Sequence, residues 1–178
     1  CGLELAHHHV LLTVGRLVPR KGVSWFLKEV LPRLAESCPD VVYLIVGEGP
    51  ARPEIRNLIR ESRLHDRVAL MSHVSDDTLA DLYATATLFV MPNVPVPGDM
   101  EGFGIVAIEA ASRGVPVVAS RLQGIADAIA DGENGVLLPP QDAGAWVSAI
   151  IALLSDDSAR TGLGARARDY TQSRYRWD

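Results

Sequence analysis

Two glutamates and a short cationic loop are the residues of this sequence best suited to chemistry. Glu101 precedes a glycine-framed turn, Gly102-Phe103-Gly104, and the helical run from about Ile105 carries Glu109 on its second turn. The first amides of such a helix have no intrahelical partner and sit at the positive end of its dipole, so they form an anion site. Ionised carboxylates only accept hydrogen bonds, so beside an anion site they contribute by gripping hydroxyls. Together these features point to a ligand carrying both phosphates and sugar hydroxyls. Taken singly, Glu101 also reads as an exposed loop charge and Glu109 as a solvated helix residue. The run as a whole favours the ligand.

The loop Gly15-Arg16-Leu17-Val18-Pro19-Arg20-Lys21-Gly22 holds three cations within six residues. Gly15 permits a tight exit from the preceding apolar run, and Pro19 stiffens the loop. With one glycine at each end and no Gly-Lys-Ser/Thr, it is neither the dinucleotide fingerprint nor a Walker loop. Phosphate here must be held by side chains. Arg16 offers a planar fork and Lys21 a mobile point charge, a pair that suits a diphosphate, although exposed surface cations are the alternative for both. Arg20 is expected to be solvated.

These residues need a frame that brings loop ends together. Short, β-branched apolar runs alternate with helical patterns, which predicts a parallel sheet with crossover helices. The expected strands are 10–14, 41–46, 68–71, 88–91, 115–119 and 136–138. The expected helices are 23–37, 52–63, 76–84, 105–113, 124–130, 143–154 and 158 to about 170. Continuously apolar strands imply that both sheet faces are covered, hence an α/β, Rossmann-like, doubly wound parallel sheet of about six strands. Ligands in such sheets sit beyond the carboxyl ends of the strands, where every polar motif named here falls.

Composition fits one domain. The chain has 178 residues, 48% of them hydrophobic and 22% charged, enough to bury a substantial core. A formal net charge of -5 argues against a general nucleic-acid surface, so local basic clusters must do any phosphate binding. Cys1 and Cys38 match no metal or redox spacing, which points to a reducing, cytoplasmic setting. No apolar run reaches the roughly 18 residues of a membrane span, and no signal segment opens the chain. The absence of an initial methionine favours a fragment.

The run EGFGIVAIEAASRGVPVVAS, Glu101 to Ser120, resembles the paired-glutamate motif of retaining, GT-B-fold glycosyltransferases of group 1, which use nucleotide-sugar donors. LLTVGRLVPRKG (11–22), YLIVGEGP (43–50), VALMSHVSDDTLADLYATATLFVMPN (68–93) and GENGVLLPPQD (132–142) resemble its other motifs in matching order. The resemblance implies that residues 1–178 are a nucleotide-sugar-binding domain, the C-terminal half of a two-domain enzyme whose N-terminal acceptor domain is absent. Such an enzyme transfers a hexose to an acceptor hydroxyl with retention, and this half alone is expected to be inactive. By the same resemblance, Arg16 and Lys21 bind the donor diphosphate and Glu101 the transferred sugar, these three being the catalytic set. Glu109 meets the ribose, the backbone of Val74 the base, and the amides of Phe103, Gly104 and Ile105 the phosphates or sugar. The sequence departs from the family at Ser72, Gln123 and Asp127, which bears on base identity. The motifs look closest to mannosyltransferases acting on lipid-linked inositol, so GDP-mannose is the first donor and a UDP-sugar the alternative.

Asp99-Met100-Glu101 has the spacing of a metal-binding pair, yet a loop that already supplies two cations needs no metal, so no cofactor or metal is expected. His7-His8-His9 reads as a surface cluster without a carboxylate partner. The five arginines between Arg160 and Arg176 suggest a solvated helix in preference to a membrane-surface one. Ala6 to Val10 and the end at Trp177 are candidate surfaces toward the chain's own N-terminal domain. The expected partners are the nucleotide-sugar donor and a sugar or lipid-linked acceptor, with no nucleic acid. Peripheral contact with the inner membrane surface would come through the missing half. A non-catalytic nucleotide-binding module and half of a sugar-nucleotide epimerase are the alternative functions.

Overall fold

A computed structural model describes residues 5, 7–99, 102, 104–122 and 124–175. Six strands, β1 (His9–Val14), β2 (Val41–Val46), β3 (Val68–Met71), β4 (Leu88–Met91), β5 (Val117–Ser120) and β6 (Val136–Leu138), form one sheet in the order β3-β2-β1-β4-β5-β6. All pairings are parallel, with Leu11 opposite both Tyr43 of β2 and Leu88 of β4. The winding reverses between β1 and β4, so the connections leaving these two neighbours diverge and open a crevice at their carboxyl ends.

Alternation along the strands divides the core into two layers, as expected for a sheet covered on both faces. Val10, Leu12, Val42, Leu44, Phe89 and Val117 face one layer with α4 (Asp76–Thr85), α5 (Ile105–Ser112), α6 (Ile125–Ala128) and α8 (Asp157–Arg174). Leu11, Tyr43, Ile45, Leu88, Val90 and Val118 face the other with α1 (Val23–Trp25), α2 (Leu31–Ser37), α3 (Arg52–Glu61) and α7 (Ala143–Ser155). One buried polar chain crosses the three central strands. The Thr13 hydroxyl donates to the Val90 carbonyl at 2.6 Å, so the Tyr43 hydroxyl, 2.7 Å away, donates to Thr13. Burial raises the Tyr43 phenol pKa above its ordinary range and keeps it a donor.

Several boundaries differ from expectation for local reasons. The helix expected over 23–37 contains a π segment, Phe26–Val30, in which the Leu31 amide reaches back to the Phe26 carbonyl. Pro32 follows at the start of α2; having no N–H and clashing with the carbonyl four residues back, it does not sit in an unbroken α-helix. β5 starts at Val117, after a proline that offers only its carbonyl, which accepts from the Phe89 amide at 2.9 Å. His9 does have a carboxylate partner, Asp40 at 3.5 Å, which lies across the β1–β2 crossover and so escaped a local reading. Arg160 is not solvated as expected. It donates to the Leu153 and Leu154 carbonyls, pairs with Asp157 at 2.7 Å and so closes the end of α7. The rest of α8 buries Leu163, Gly164, Ala167 and Thr171 and packs on α5. Among the described residues no helix is long and apolar enough to cross a membrane. Ala6, Trp177 and Asp178 lie outside the described residues.

The carboxyl ends of β1 and β2 meet backbone to backbone. Gly47 has φ 154°, and a Cβ placed there would stand 1.9 Å from the Gly15 carbonyl oxygen. Gly47→Ala should therefore cost roughly 3 kcal/mol or more. Gly132→Ala, at φ 82° but with open space around it, should cost only about 1 kcal/mol. Urea unfolding of the two variants measures this; equal losses would show that the contact at Gly47 relaxes freely.

Candidate functional site

The loop after β1 is held from both sides, which fixes where its cations project. On the β2 side, the Gly47-Glu48-Gly49 turn takes the Leu17 amide at 2.7 Å through the Glu48 carbonyl, and the Leu17 carbonyl accepts from the Ala51 amide at 2.9 Å. Leu17 is buried, so Arg16 beside it faces outward and is exposed. Among the described residues the Arg16 side chain has no ion pair or hydrogen bond, while its carbonyl accepts from the Val18 amide at 3.1 Å. On the far side a 3-10 turn, Pro19–Lys21, leads to Gly22 at φ 66°. A Cβ on Gly22 would stand 1.8 Å from the Pro92 carbonyl oxygen, so the start of α1 lies directly against the segment leaving β4.

That segment is pinned as well. The Asn93 carbonyl accepts from the Ser120 hydroxyl at the end of β5 at 2.6 Å, and the Val94 amide donates to the Arg20 carbonyl at 2.9 Å. Arg20 is not the solvated residue its sequence position suggested. Its guanidinium Nη1 donates to both Asp99 oxygens, at 3.0 and 3.2 Å, and its side chain is only 23% exposed. The bond joins the cationic loop to the chain two residues before Glu101 and occupies the carboxylate considered for metal. Glu101 and Phe103 themselves, with Met100 and Gln123, lie outside the described residues.

Gly104, at φ 68°, opens α5 without any side-chain cap. The amides of Ile105 and Val106 therefore have no partner within the helix, while Ala107 closes back on the Gly104 carbonyl at 2.8 Å. Ile105 is 56% exposed at this terminus. One turn along, Glu109 is half-buried, and its Oε2 accepts from the Tyr83 hydroxyl of α4 at 3.0 Å. Burial first, then the Glu109 charge, raises the Tyr83 pKa, against the opposing effect of Arg113. Arg113 stacks over the Tyr83 ring at 4.8 Å and donates to the Glu109 carbonyl at 3.1 Å. Val74 is half-buried just after β3, against the same core layer as α4. Arg16, Lys21, Gly104, Ile105 and Glu109 are thus carried at the carboxyl ends of adjacent β1 and β4, with Val74 two strands from β1 along the same edge.

A family model described as "Glycosyl transferases group 1" matches residues 8–156. The chain belongs to this family. It is 38% identical over 159 residues to a phosphatidyl-myo-inositol mannosyltransferase of Mycolicibacterium smegmatis, covering 89% of this chain and 39% of that protein. It is 31% identical over 175 residues to a GDP-mannose-dependent alpha-(1-6)-phosphatidylinositol monomannoside mannosyltransferase of the same organism, covering 97% and 46%. The sucrose-phosphate synthase of Thermosynechococcus elongatus superposes with a TM-score of 0.83 at 33% identity, over 97% of this chain and 42% of that one. The chain spans less than half the length of these proteins, and its Rossmann-like sheet matches one half of a GT-B glycosyltransferase.

Three contributors in this group 1 domain escaped sequence reasoning: the Arg20–Asp99 bridge, the Ser120–Asn93 tie and Tyr83 under Glu109. Each links residues 26 to 79 positions apart, beyond the reach of any local pattern. The bridge should behave as a coupled pair. Arg20→Ala and Asp99→Ala should each destabilise the domain, with a double-mutant coupling of about 0.5–1 kcal/mol, since Asp99 is 44% exposed and partly screened. Additive losses in urea unfolding would mean the bridge is stabilisingly idle.

Proposed function

We propose that this chain is the donor-binding, C-terminal half of a retaining hexosyltransferase, and that its donor is a nucleoside diphosphate sugar, GDP-mannose first. The observation that carries the reading is the convergence, across the β1–β4 switch point, of the Arg16 and Lys21 loop with the uncapped start of α5. Negative charge develops on the diphosphate as the sugar departs, and fixed cations and amides aimed there lower the barrier. Glu109 takes the ribose, the Val74 backbone takes the base and Glu101 orients the sugar. The bond from the anomeric carbon to the phosphate oxygen breaks, and a bond to the acceptor oxygen forms on the same face. The acceptor's proton passes to a departing phosphate oxygen.

GDP-mannose is favoured because a relative with 31% identity is GDP-mannose-dependent. The relatives' names support a lipid-linked inositol acceptor, which a separate N-terminal half would hold. Metal independence is supported by the Arg20 guanidinium, which occupies the Asp99 carboxylate while Arg16 and Lys21 supply the compensating charge. Without an acceptor half, the reacting groups are not held together, so this chain alone should transfer no sugar to any defined acceptor.

Calorimetry with GDP and UDP in EDTA tests the reading. Binding should persist without metal, with GDP the tighter. Charge-assisted hydrogen bonds are worth about 1.5–3 kcal/mol, so Arg16→Ala and Lys21→Ala should each weaken it roughly 10- to 150-fold. Glu101→Ala should leave diphosphate affinity nearly unchanged. Heat released only with magnesium or manganese would overturn the metal-free assignment, and equal losses for Glu101→Ala and Lys21→Ala would overturn the division between sugar and phosphate.

A further inference from the structure

We propose that Tyr83 is the positioning residue for Glu109: its buried hydroxyl fixes one carboxylate oxygen so that the other faces a ribose hydroxyl of the nucleotide. This deepens the nucleotide-sugar reading and rests on it. Tyr83 is 0% exposed, yet its phenol reaches from α4 to the second turn of α5 and donates to Glu109 Oε2 at 3.0 Å. An ionised carboxylate accepts through two oxygens. With Oε2 committed to the phenol, Oε1 is the acceptor that remains for a ligand.

The phenol ring is itself held by two neighbours. Phe89 of β4 packs against the Tyr83 ring at 5.8 Å between centroids, and the Arg113 guanidinium lies 4.8 Å from the ring centre. Arg113 also donates to the Glu109 main-chain carbonyl at 3.1 Å, so ring, carboxylate and helix form one brace. A glutamate side chain on a helix surface samples many rotamers, and ordering it on binding costs conformational entropy. The brace places that cost in the folded state, before the ligand arrives. Burial and the neighbouring carboxylate both keep the phenol protonated, so Tyr83 stays a donor throughout the usable pH range.

Tyr83→Phe removes the hydroxyl and retains the ring, and with it the contacts to Phe89 and Arg113. Calorimetry compares wild type and Tyr83→Phe against three probes: GDP, 2′,3′-dideoxy-GDP and inorganic diphosphate. The variant should bind GDP about 3- to 12-fold more weakly, the worth of one net hydrogen bond, and should bind the two probes without ribose hydroxyls as wild type does. In a Glu109→Ala background the same substitution should change GDP affinity less than twofold. A thermal melt of each variant accompanies the titrations. Unchanged GDP affinity in Tyr83→Phe overturns the positioning role while leaving the nucleotide reading intact. Equal weakening of all three probes also overturns it, because that is the mark of a general disturbance of α5. Wild type that binds none of the probes removes the nucleotide reading itself, and this inference with it.

Discussion

The carboxyl edge of this sheet depends on backbone touching backbone where side chains are absent. Gly47 lies against the Gly15 carbonyl, Gly49 against Leu17 and Gly22 against the Pro92 carbonyl, each closer than any Cβ allows. These contacts clamp the β1 loop between the turn after β2 and the segment after β4. Main-chain hydrogen bonds from Leu17 to Glu48, from Ala51 to Leu17 and from Val94 to Arg20 then fix its path. The Arg16 side chain projects outward from this clamped loop and is exposed.

The same division runs through the rest of the edge. Thr13 and Tyr43 join β1, β2 and β4 inside the core, immediately below the crevice, and are buried to 5% exposure or less. Ser120 ties the end of β5 to the segment after β4. Polar groups that hold the frame are thus inside and paired, while Arg16 and Ile105 stand exposed at the rim. An overall charge of -5 is compatible with phosphate chemistry only because the cations are concentrated locally in this way.

The sheet was readable in the sequence because strands buried on both faces are short, continuously apolar runs. Strands β2, β3, β4 and β6 fall on their expected bounds. The loop of Arg16 and Lys21 and the glutamate on the second turn of α5 were readable for a related reason: glycines frame them, and glycine marks where a chain turns at a strand end. What local reading missed was pairing at a distance. Arg20 looked solvated because nothing within its own loop opposes its charge; Asp99, 79 residues on, does. His9 and Arg160 failed in the same manner, since their partners are set by which crossover packs beside which strand or helix end. Glu109 could be named from its place on the helix, but the hydroxyl that holds it comes from a tyrosine whose apolar ring marks it as core.

Capping along the sheet follows the crevice. Helices that start after the edge strands are closed by side chains: Ser75 accepts from Thr78 at the start of α4, and Asp142 from Ala145 at the start of α7. Asp156 closes α8, which follows α7 directly. Helices that start after the four inner strands, α1, α3, α5 and α6, begin at Gly22, Ala51, Gly104 and Gly124 and have no side-chain cap. Relative to a Ser, Asp or Asn cap, Ala51 gives up about 1 kcal/mol and each of the three glycines only a few tenths of a kcal/mol, a small standing loss of stability. At α5 an aspartate cap would set a fixed negative charge beside the amides of Ile105 and Val106 and so oppose any anion there. The edge helices carry no such conflict, and they are capped. The two-sided core behind the inner strands, buried along nearly its whole length, is what makes the missing caps tolerable.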